Sequence, residues 1–350
     1  MDIHTVDSDA FTVEDVVKAH MQDLAIQERF GVIQIKYWVN VEAKTLFCLM
    51  DGPNKEACNM VHKESHGNTA CNIIEVSDDE FNLFLGEGKN ENDLALTNSG
   101  ELDTGYRTIL MLSTTDFTDH HSQHNNEVYK LIEAYQGVVI LQPDDEIMVS
   151  FIFASNAIRC AVAIGRWLKS ISSNPEFTLS LVSGRPVDEQ GNNLFEETKK
   201  KVRYLCELGP TKTMYLDSDT KAMADKERIS SKIKTDEFKI ILDKDSQFLM
   251  RLFDLLNERL PDPDFTSEDL NELLGLSKSQ TYRKIKLLTG LAPNQLLREL
   301  RLRKSLKSLK QNDKTIAEIA YDFGFNSPAY YAKVFKTRFH ITPSCFTKLH

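Results

Sequence analysis

No stretch of this 350-residue sequence approaches the roughly 20 consecutive apolar residues that a membrane-spanning helix needs. A helical integral membrane protein is thereby excluded. The opening segment MDIHTVDSDAF has neither the basic region nor the apolar core of a secretory signal. Cysteine is scarce and unpaired in spacing: Cys48, Cys58, Cys71, Cys160, Cys206 and Cys345 stand far apart. That pattern argues against a disulfide scaffold and for buried thiols in a reducing compartment. These absences lead us to expect a soluble, cytoplasmic protein. What is present, 41% hydrophobic and 27% charged residues, belongs to a globular chain. Its length calls for about two or three domains.

The net charge of -10 is unevenly distributed. Residues 273–350 hold 15 Lys/Arg against 4 Asp/Glu, whereas residues 1–272 hold 27 against 48. An acidic body with a basic tail is the asymmetry expected when only the tail meets a polyanion, although a basic solvated surface gives the same count.

Along the chain, residues 1–85 alternate as strand, helix, two strands, helix, strand, an order that suits an α+β ferredoxin-like sandwich. In the first helix, 13–28, the apolar spacing falls on Val16, Val17, Met21 and Leu24. The polar stretch 86–104 reads as a linker. Residues 105–225 alternate strands and helices in the manner of an α/β layered domain. Residues 226–262 read as a charged connector containing the amphipathic helix SQFLMRLFDLLNERL, and an all-α unit fills 263–350.

That last unit contains two helix-turn-helix patterns. In TSEDLNELLGLSKSQTYRKIKLLTG, Thr266 or Ser267 caps a helix whose Leu270, Leu273 and Leu274 face inward. Gly275 permits the left-handed turn that ends it, and Ser277 caps the second helix. In such motifs the second helix enters the major groove, where arginine pairs bidentately with guanine. In KTIAEIAYDFGFNSPAYYAKVFKTRF, Thr315 caps, Gly324 turns, and Asn326 or Ser327 caps a helix that exposes Ala329, Tyr330 and Lys333. Between the units, PNQLLRELRLRKSLKSLKQ is one helix of about 27 Å, near the spacing of successive major-groove faces. Its Arg298, Arg301, Arg303, Lys304, Lys307 and Lys310 supply phosphate contacts or a solvated face, with Lys304 expected to reach phosphate at most.

The segment IAEIAYDFGFNSPAYYAKVFKTRF with the following ITPS, and LSKSQTYRKIKLLTGLAPNQLLRELRL before it, resembles the AraC/XylS family of transcription regulators over about 263–348. His340 stands where that family usually has glycine. The resemblance implies base-facing residues Ser279, Gln280, Tyr282 and Arg283 in the first unit. In the second it implies Pro328, Ala329, Tyr330 and Lys333.

TGYRTILMLSTTDFT, QPDDEIMVSF and LFEETKKKVRYLCEL resemble a class III nucleotide cyclase homology domain over about 105–220. Such a domain holds two Mg²⁺ ions on two carboxylates. The resemblance puts the first carboxylate position on Ser113 and the second on Asp145, flanked by Asp144 and Glu146. The transition-state Asn and Arg positions fall on Lys200 and Tyr204, with Arg203 one place out of register. The expectation is a pseudo-cyclase that serves as scaffold or ligand sensor, not an enzyme.

Four histidines lie early in the chain: His4, His20, His62 and His66. In VHKESHG the last two are spaced i,i+4 and share a helical face, with Cys58 one turn earlier. Imidazoles so spaced suit zinc, nickel or copper. The HHSQH run (His120, His121, His124) reads as surface. VEDVVKAHMQDLAIQERFGV, YWVN, TLFCLMDGPNKEA and VHKESHG resemble small ferredoxin-like nickel-binding proteins over residues 1–76. That resemblance implies nickel or zinc at His4, His20, His62 and His66.

The expectation is therefore a multidomain chain: an α+β ferredoxin-like N-terminal domain, an α/β cyclase-like middle domain and an all-α double helix-turn-helix C-terminal domain. Its function would be transcription control tuned by ligand or metal. The partners would be double-stranded promoter or operator DNA, RNA polymerase and a second copy of the chain, with no membrane. The alternatives are a nucleotide cyclase or a metal-buffering protein tethered to DNA. Incubation with ATP or GTP plus Mn²⁺ tests the first, and the effect of metal on DNA affinity tests the second.

Overall fold

The computed structural model describes the chain apart from residues 87, 118–120, 143–145, 174, 209–210, 228–234 and 350, and apart from the side chains of 121–125. The expected roles of Asp144, Asp145, His120, His121 and His124 fall on those residues. No helix among the described residues is long and apolar enough to cross a membrane.

The first region runs β1 (Asp2–Thr5), α1 (Val13–Ile26), β2 (Ile33–Asn40), β3 (Thr45–Asp51), α2 (Lys55–Ser65) and β4 (Asn72–Ile73). There follow α3 (Asp78–Leu85), β5 (Lys89–Glu91) and β6 (Leu94–Leu96). Its sheet has the order β4-β1-β3-β2-β6-β5. The stretch expected to be a linker is therefore part of this sheet. β5 and β6 pair as a hairpin, and β6 lies parallel to β2 through Tyr37 and Leu94. Ala95, Thr97 and Asp103 are buried there. The buried Arg107 fastens this end by a fork on Asp103 (2.8 Å to each oxygen) and a bond from Nε to Phe84 O at 2.7 Å. The polar letters concealed short strands that pairing stabilises.

Side-chain alternation splits this sheet into two faces. Ile3, Trp38, Phe47 and Ala95 point one way, into an apolar cluster shared with Ile109, Val182 and Phe195 of the next region. Tyr37, Val39 and Cys48 point the other way and pack with Phe11 and Val16 under α1 and α2. The buried side of α1 is Val16, His20 and Asp23, while Met21 is 56% exposed. The apolar spacing mispoints this helix because two of its inward residues are polar.

The middle region comprises β7 (Arg107–Thr115), α4 (His121–Ala134), β8 (Val138–Leu141), β9 (Glu146–Phe151), α5 (Ala154–Ser170) and β10 (Glu176–Gly184). It continues through α6 (Glu196–Glu207), β11 (Thr213–Asp217), α7 (Ser218–Lys226) and β12 (Phe238–Ile241). The sheet order is β12-β11-β10-β7-β9-β8, parallel only along β10-β11-β12. β12 lies within the segment expected to be a connector and adds an edge strand here. Lys200 and Tyr204 are engaged elsewhere. Both bind Asp254 on the following helix, Lys200 Nζ at 2.8 Å from Oδ1 and the Tyr204 hydroxyl at 2.7 Å.

The last region is helical: α8 (Asp243–Arg259), α9 (Ser267–Leu274), α10 (Lys278–Thr289), α11 (Pro293–Gln311), α12 (Ile316–Asp322), α13 (Pro328–Phe339) and α14 (Pro343–Leu349). Capping chemistry sets its boundaries. Thr266 with Asp269, Ser277 with Gln280, and Thr315 with Glu318 form reciprocal capping boxes at α9, α10 and α12. Ser327 caps α13. Leu270 and Leu274 are buried, but Leu273 is 42% exposed, so α9 turns a narrower apolar face inward than the sequence suggests. His340 takes φ +65° as the residue ending α13, the left-handed position that glycine occupies more readily.

Candidate nucleic-acid interface and metal centre

Each helix-turn-helix unit is built by a short helix, a glycine turn and a second helix. Gly275 ends α9 at φ +66° with no atom within 4 Å of an added Cβ, so the cost of a substitution there would be backbone strain alone. Gly324 is tighter. It takes φ +75°, and an added Cβ would meet Leu260 O at 2.6 Å and the Arg301 guanidinium at 2.9 Å.

The second helices present the expected residues outward. Ser279, Gln280, Tyr282 and Arg283 are exposed on α10, as are Ala329, Tyr330 and Lys333 on α13, with Pro328 half-buried at its first turn. Opposite them, Ile285 and Leu288 anchor α10, while Tyr331 and Phe335 anchor α13. Arg283 has no carboxylate partner among the described residues, and its Nε donates to Ser279 O at 3.3 Å. Gln280 is partly committed, because its Oε1 accepts the Ser277 amide at 3.0 Å. The two sets thus lie on matching faces of helices joined by the 19-residue α11.

The basic residues of α11 behave differently from expectation. Arg301 donates to the carbonyls of Leu260 (3.0 Å), Asp262 (2.7 Å) and Phe265 (3.3 Å) and so ties α11 to the turn before α9. Arg303 Nε pairs with Glu299 at 2.9 Å. Lys304 donates to Asn257 and stands 3.8 Å from Glu207. It therefore faces protein rather than an approaching phosphate. The hydrogen-bond partners of Arg301 and Lys304 lie 36 to 47 positions away, beyond the reach of a local reading, whereas the Arg303–Glu299 pair is an i,i+4 contact within α11.

The histidines divide. On the α1/α2 face of the sheet, the fully buried Asp2 carboxylate lies 3.0 Å from His62 Nε2 and 3.4 Å from His4 Nε2. His62 Nδ1 lies 3.0 Å from Asp23, whose other oxygen accepts from Ser65 Oγ and stands 3.3 Å from His66 Nε2. With a carboxylate on each ring nitrogen, His62 must donate from both and is an imidazolium. Burial opposes that charge, but the bonds to Asp2 and Asp23 prevail and raise its pKa to about 10. Burial pushes the two carboxyls up, yet His4 and His62 hold Asp2, and His62 and His66 hold Asp23, well below the ordinary value. The proton thus occupies the place of a small cation between two anions.

The donors form two groups that share His62, and each is close enough to hold an ion. Asp2, His4, Cys48 and His62 offer ligand atoms within 4.8 Å of one another, as do Asp23, His62 and His66. His4 Nε2 is buried without a hydrogen bond, an orphan that a metal would satisfy. Nitrogen and carboxylate donors fit nickel or zinc. The Cys48 thiol, pushed up by burial and then by Asp2, stays protonated and contributes less readily. His20 lines the same cavity of about 480 Å³ but belongs to neither group; it pairs with Asp93 at 3.0 Å and packs on Tyr37. Cys58 faces Val32 and Val61 instead. Sequence reading missed Asp2, Asp23 and Cys48. Spacing shows only that Asp2 shares a strand face with His4 and that Asp23 falls one turn after His20, not that either meets His62.

Residues 270–348 match the family model of a helix-turn-helix domain, and residues 1–76 match that of the nickel responsive protein SCO4226-like. The chain is 33% identical over 100 residues to histidine kinase P4 of Formosa agariphila, a match covering 29% of this chain and 7% of that one. It is 38% identical over 76 residues to the HTH-type transcriptional activator RhaS of Mannheimia succiniciproducens, covering 22% of this chain and 28% of that one. The chain therefore spans less than a third of either relative. The solved SCO4226 of Streptomyces coelicolor A3(2) is 32% identical, covering 21% of this chain and 90% of that one at a TM-score of 0.20.

Proposed function

We propose that this chain is a sequence-specific, DNA-binding transcription regulator of the AraC/XylS type. The observation that carries this reading is the pair of exposed second helices, with Arg283 and Lys333 at corresponding outward positions and rigid apolar anchors behind them. The relation to helix-turn-helix regulators supports it. RNA polymerase and a second copy of the chain belong to the same proposal as partners. The cyclase-like reading of the middle region is kept as a non-enzymatic scaffold, since a serine stands at the first carboxylate position and Lys200 and Tyr204 are engaged with Asp254.

A titration of Lys333→Ala and Lys304→Ala against operator and scrambled duplex tests the assignment. Lys333→Ala should lose affinity for operator more than for scrambled DNA. Lys304→Ala should weaken both duplexes alike and reduce the salt slope by about one unit, since Lys304 must leave Asn257 and Glu207 to meet phosphate. A Lys304→Ala variant with an unchanged slope would mean that α11 keeps its present position on DNA.

The first region we read as a ferredoxin-like, nickel-responsive input domain, with His4, His62 and His66 and the carboxylates of Asp2 and Asp23 as the ligand set. A bound nickel ion would supply the charge now carried by the His62 proton, so uptake should release protons. Calorimetry of the full chain with Ni²⁺ in buffers of different ionisation enthalpy should show that release. His4→Ala with His66→Ala, which leaves His62 bridging, should abolish binding. Uptake equal to that of the unaltered chain would remove both histidines from the site.

A further inference from the structure

The two helix-turn-helix units are attached to the rest of the molecule in different ways. The first shares one continuous apolar cluster with α8 and α6, where Leu270, Ile285 and Leu300 meet Phe248, Phe253 and Val202. The second has a separate cluster built on Leu306, Phe325, Tyr331, Phe335, Phe339 and Phe346. Among the described hydrophobic residues of the middle region, Phe117 packs on it, its ring 5.2 Å from Phe339 and 5.7 Å from Phe346.

Beside Phe117 stands an ion pair. Arg338, in the last turn of α13, donates to both oxygens of Glu176 at 2.7 and 2.9 Å and to Glu299 at 2.8 Å. Glu176 opens β10 and lies on the rim of a cavity of about 460 Å³ between the middle sheet and α11. Glu146 and Glu207 line it from the sheet side, and Arg303, Lys304 and Lys307 line it from α11. A contact made of charges around a void, with one aromatic ring, has little buried apolar area to hold it and is weakened by salt. This is a surface built to separate.

We infer that the carboxylate rim of the middle sheet is an autoinhibitory docking surface for the DNA-binding module. It competes with DNA phosphates for the basic side of α11 and fixes the second recognition helix through Glu176 and Arg338. The inference rests on the DNA-binding reading and adds its regulation. Its physical basis is that α11 cannot direct Arg303, Lys304 and Lys307 to the sheet and to phosphate at once. Each carboxylate near that side also repels an incoming duplex. Undocking frees the cations and removes the repulsion together.

The test is Glu176→Gln in the full chain, with Glu189→Gln as control. Glu189 carries the same charge on the same region, is exposed, and pairs only with Arg185 among the described residues. At low salt Glu176→Gln should bind operator about three- to fivefold more tightly than the control, the size of a modest ion pair, and the gain should shrink as salt rises. Amide exchange in α13 should quicken in the same variant. Affinity equal to or below that of Glu189→Gln, in a chain that still binds operator, would overturn the inference and leave the DNA reading standing. No preference for operator over scrambled DNA in the unaltered chain would sink the DNA reading itself.

Discussion

Arg283→Ala is expected to weaken binding to the operator by about 1–3 kcal/mol, roughly fivefold to 150-fold, and to relax the preference at a single base pair. The size follows from geometry. Arg283 is exposed on α10, opposite the buried Ile285 and Leu288, on a helix whose start is fixed by the Ser277–Gln280 capping box. A guanidinium held on a rigid helix loses little freedom when its fork meets guanine O6 and N7. Among the described residues Arg283 is bonded through Nε to Ser279 O and has no ion pair to break before binding. Contrast Arg301 and Arg338, whose guanidiniums are spent on carbonyls and carboxylates of the protein. The measurement is a titration against operator and single-base variants at two salt concentrations. An equal loss on every duplex, scrambled DNA included, would mean that α10 does not read bases there.

The DNA-binding end was legible because its signals are local. Thr266, Ser277 and Thr315 each sit three residues before a partner that completes a capping box, and Gly275 marks a left-handed turn. Such contacts close within a few residues, so a linear reading sees both halves. The metal centre was half legible for the opposite reason. His62 lies in the last turn of α2 and His66 caps that helix, so their closeness is local and legible. Asp2 reaches His62 across 60 positions and Asp23 across 39, and nothing in spacing announces such a pairing. His20 was drawn in by residue type alone, although its ring is held by Tyr37 and Asp93. The strands at 89–96 failed by the same logic. Their polar letters gain strand character only from the ladder with β2 that tertiary structure supplies. The basic stripe on α11 looks solvated or phosphate-bound in sequence because the carbonyls that hold Arg301, and the Asn257 and Glu207 beside Lys304, come from distant positions.

His62→Ala is expected to cost about 3–5 kcal/mol of folding stability in chelator-treated protein, the effect of removing one partner from a buried charge cluster. His62 is 1% exposed and holds Asp2, itself fully buried, and Asp23. Without the imidazolium, two buried carboxylates each lose a charged partner, and His4 beside Asp2 and His66 and Ser65 beside Asp23 remain. The pH profile carries a second, independent signature. In the unaltered chain the lowered carboxyls of Asp2 and Asp23 contribute stability that is present above their ordinary value of 3.8 and is lost as pH falls below it. The raised pKa of His62 contributes stability that is fully present below 6.5 and is lost as pH climbs through about 10. Between those limits both contributions are in force. In His62→Ala the sign on the acid side reverses, since protonating an unpaired buried carboxylate relieves it, so the variant should gain stability as pH drops from 7 to 5. His62→Gln, which keeps one hydrogen bond and no charge, should fall between the two. Denaturant titrations of the three proteins across pH 4–9 measure all of this. A His62→Ala chain as stable as the unaltered one, with a parallel pH profile, would show that Asp2 and Asp23 do not depend on the His62 charge.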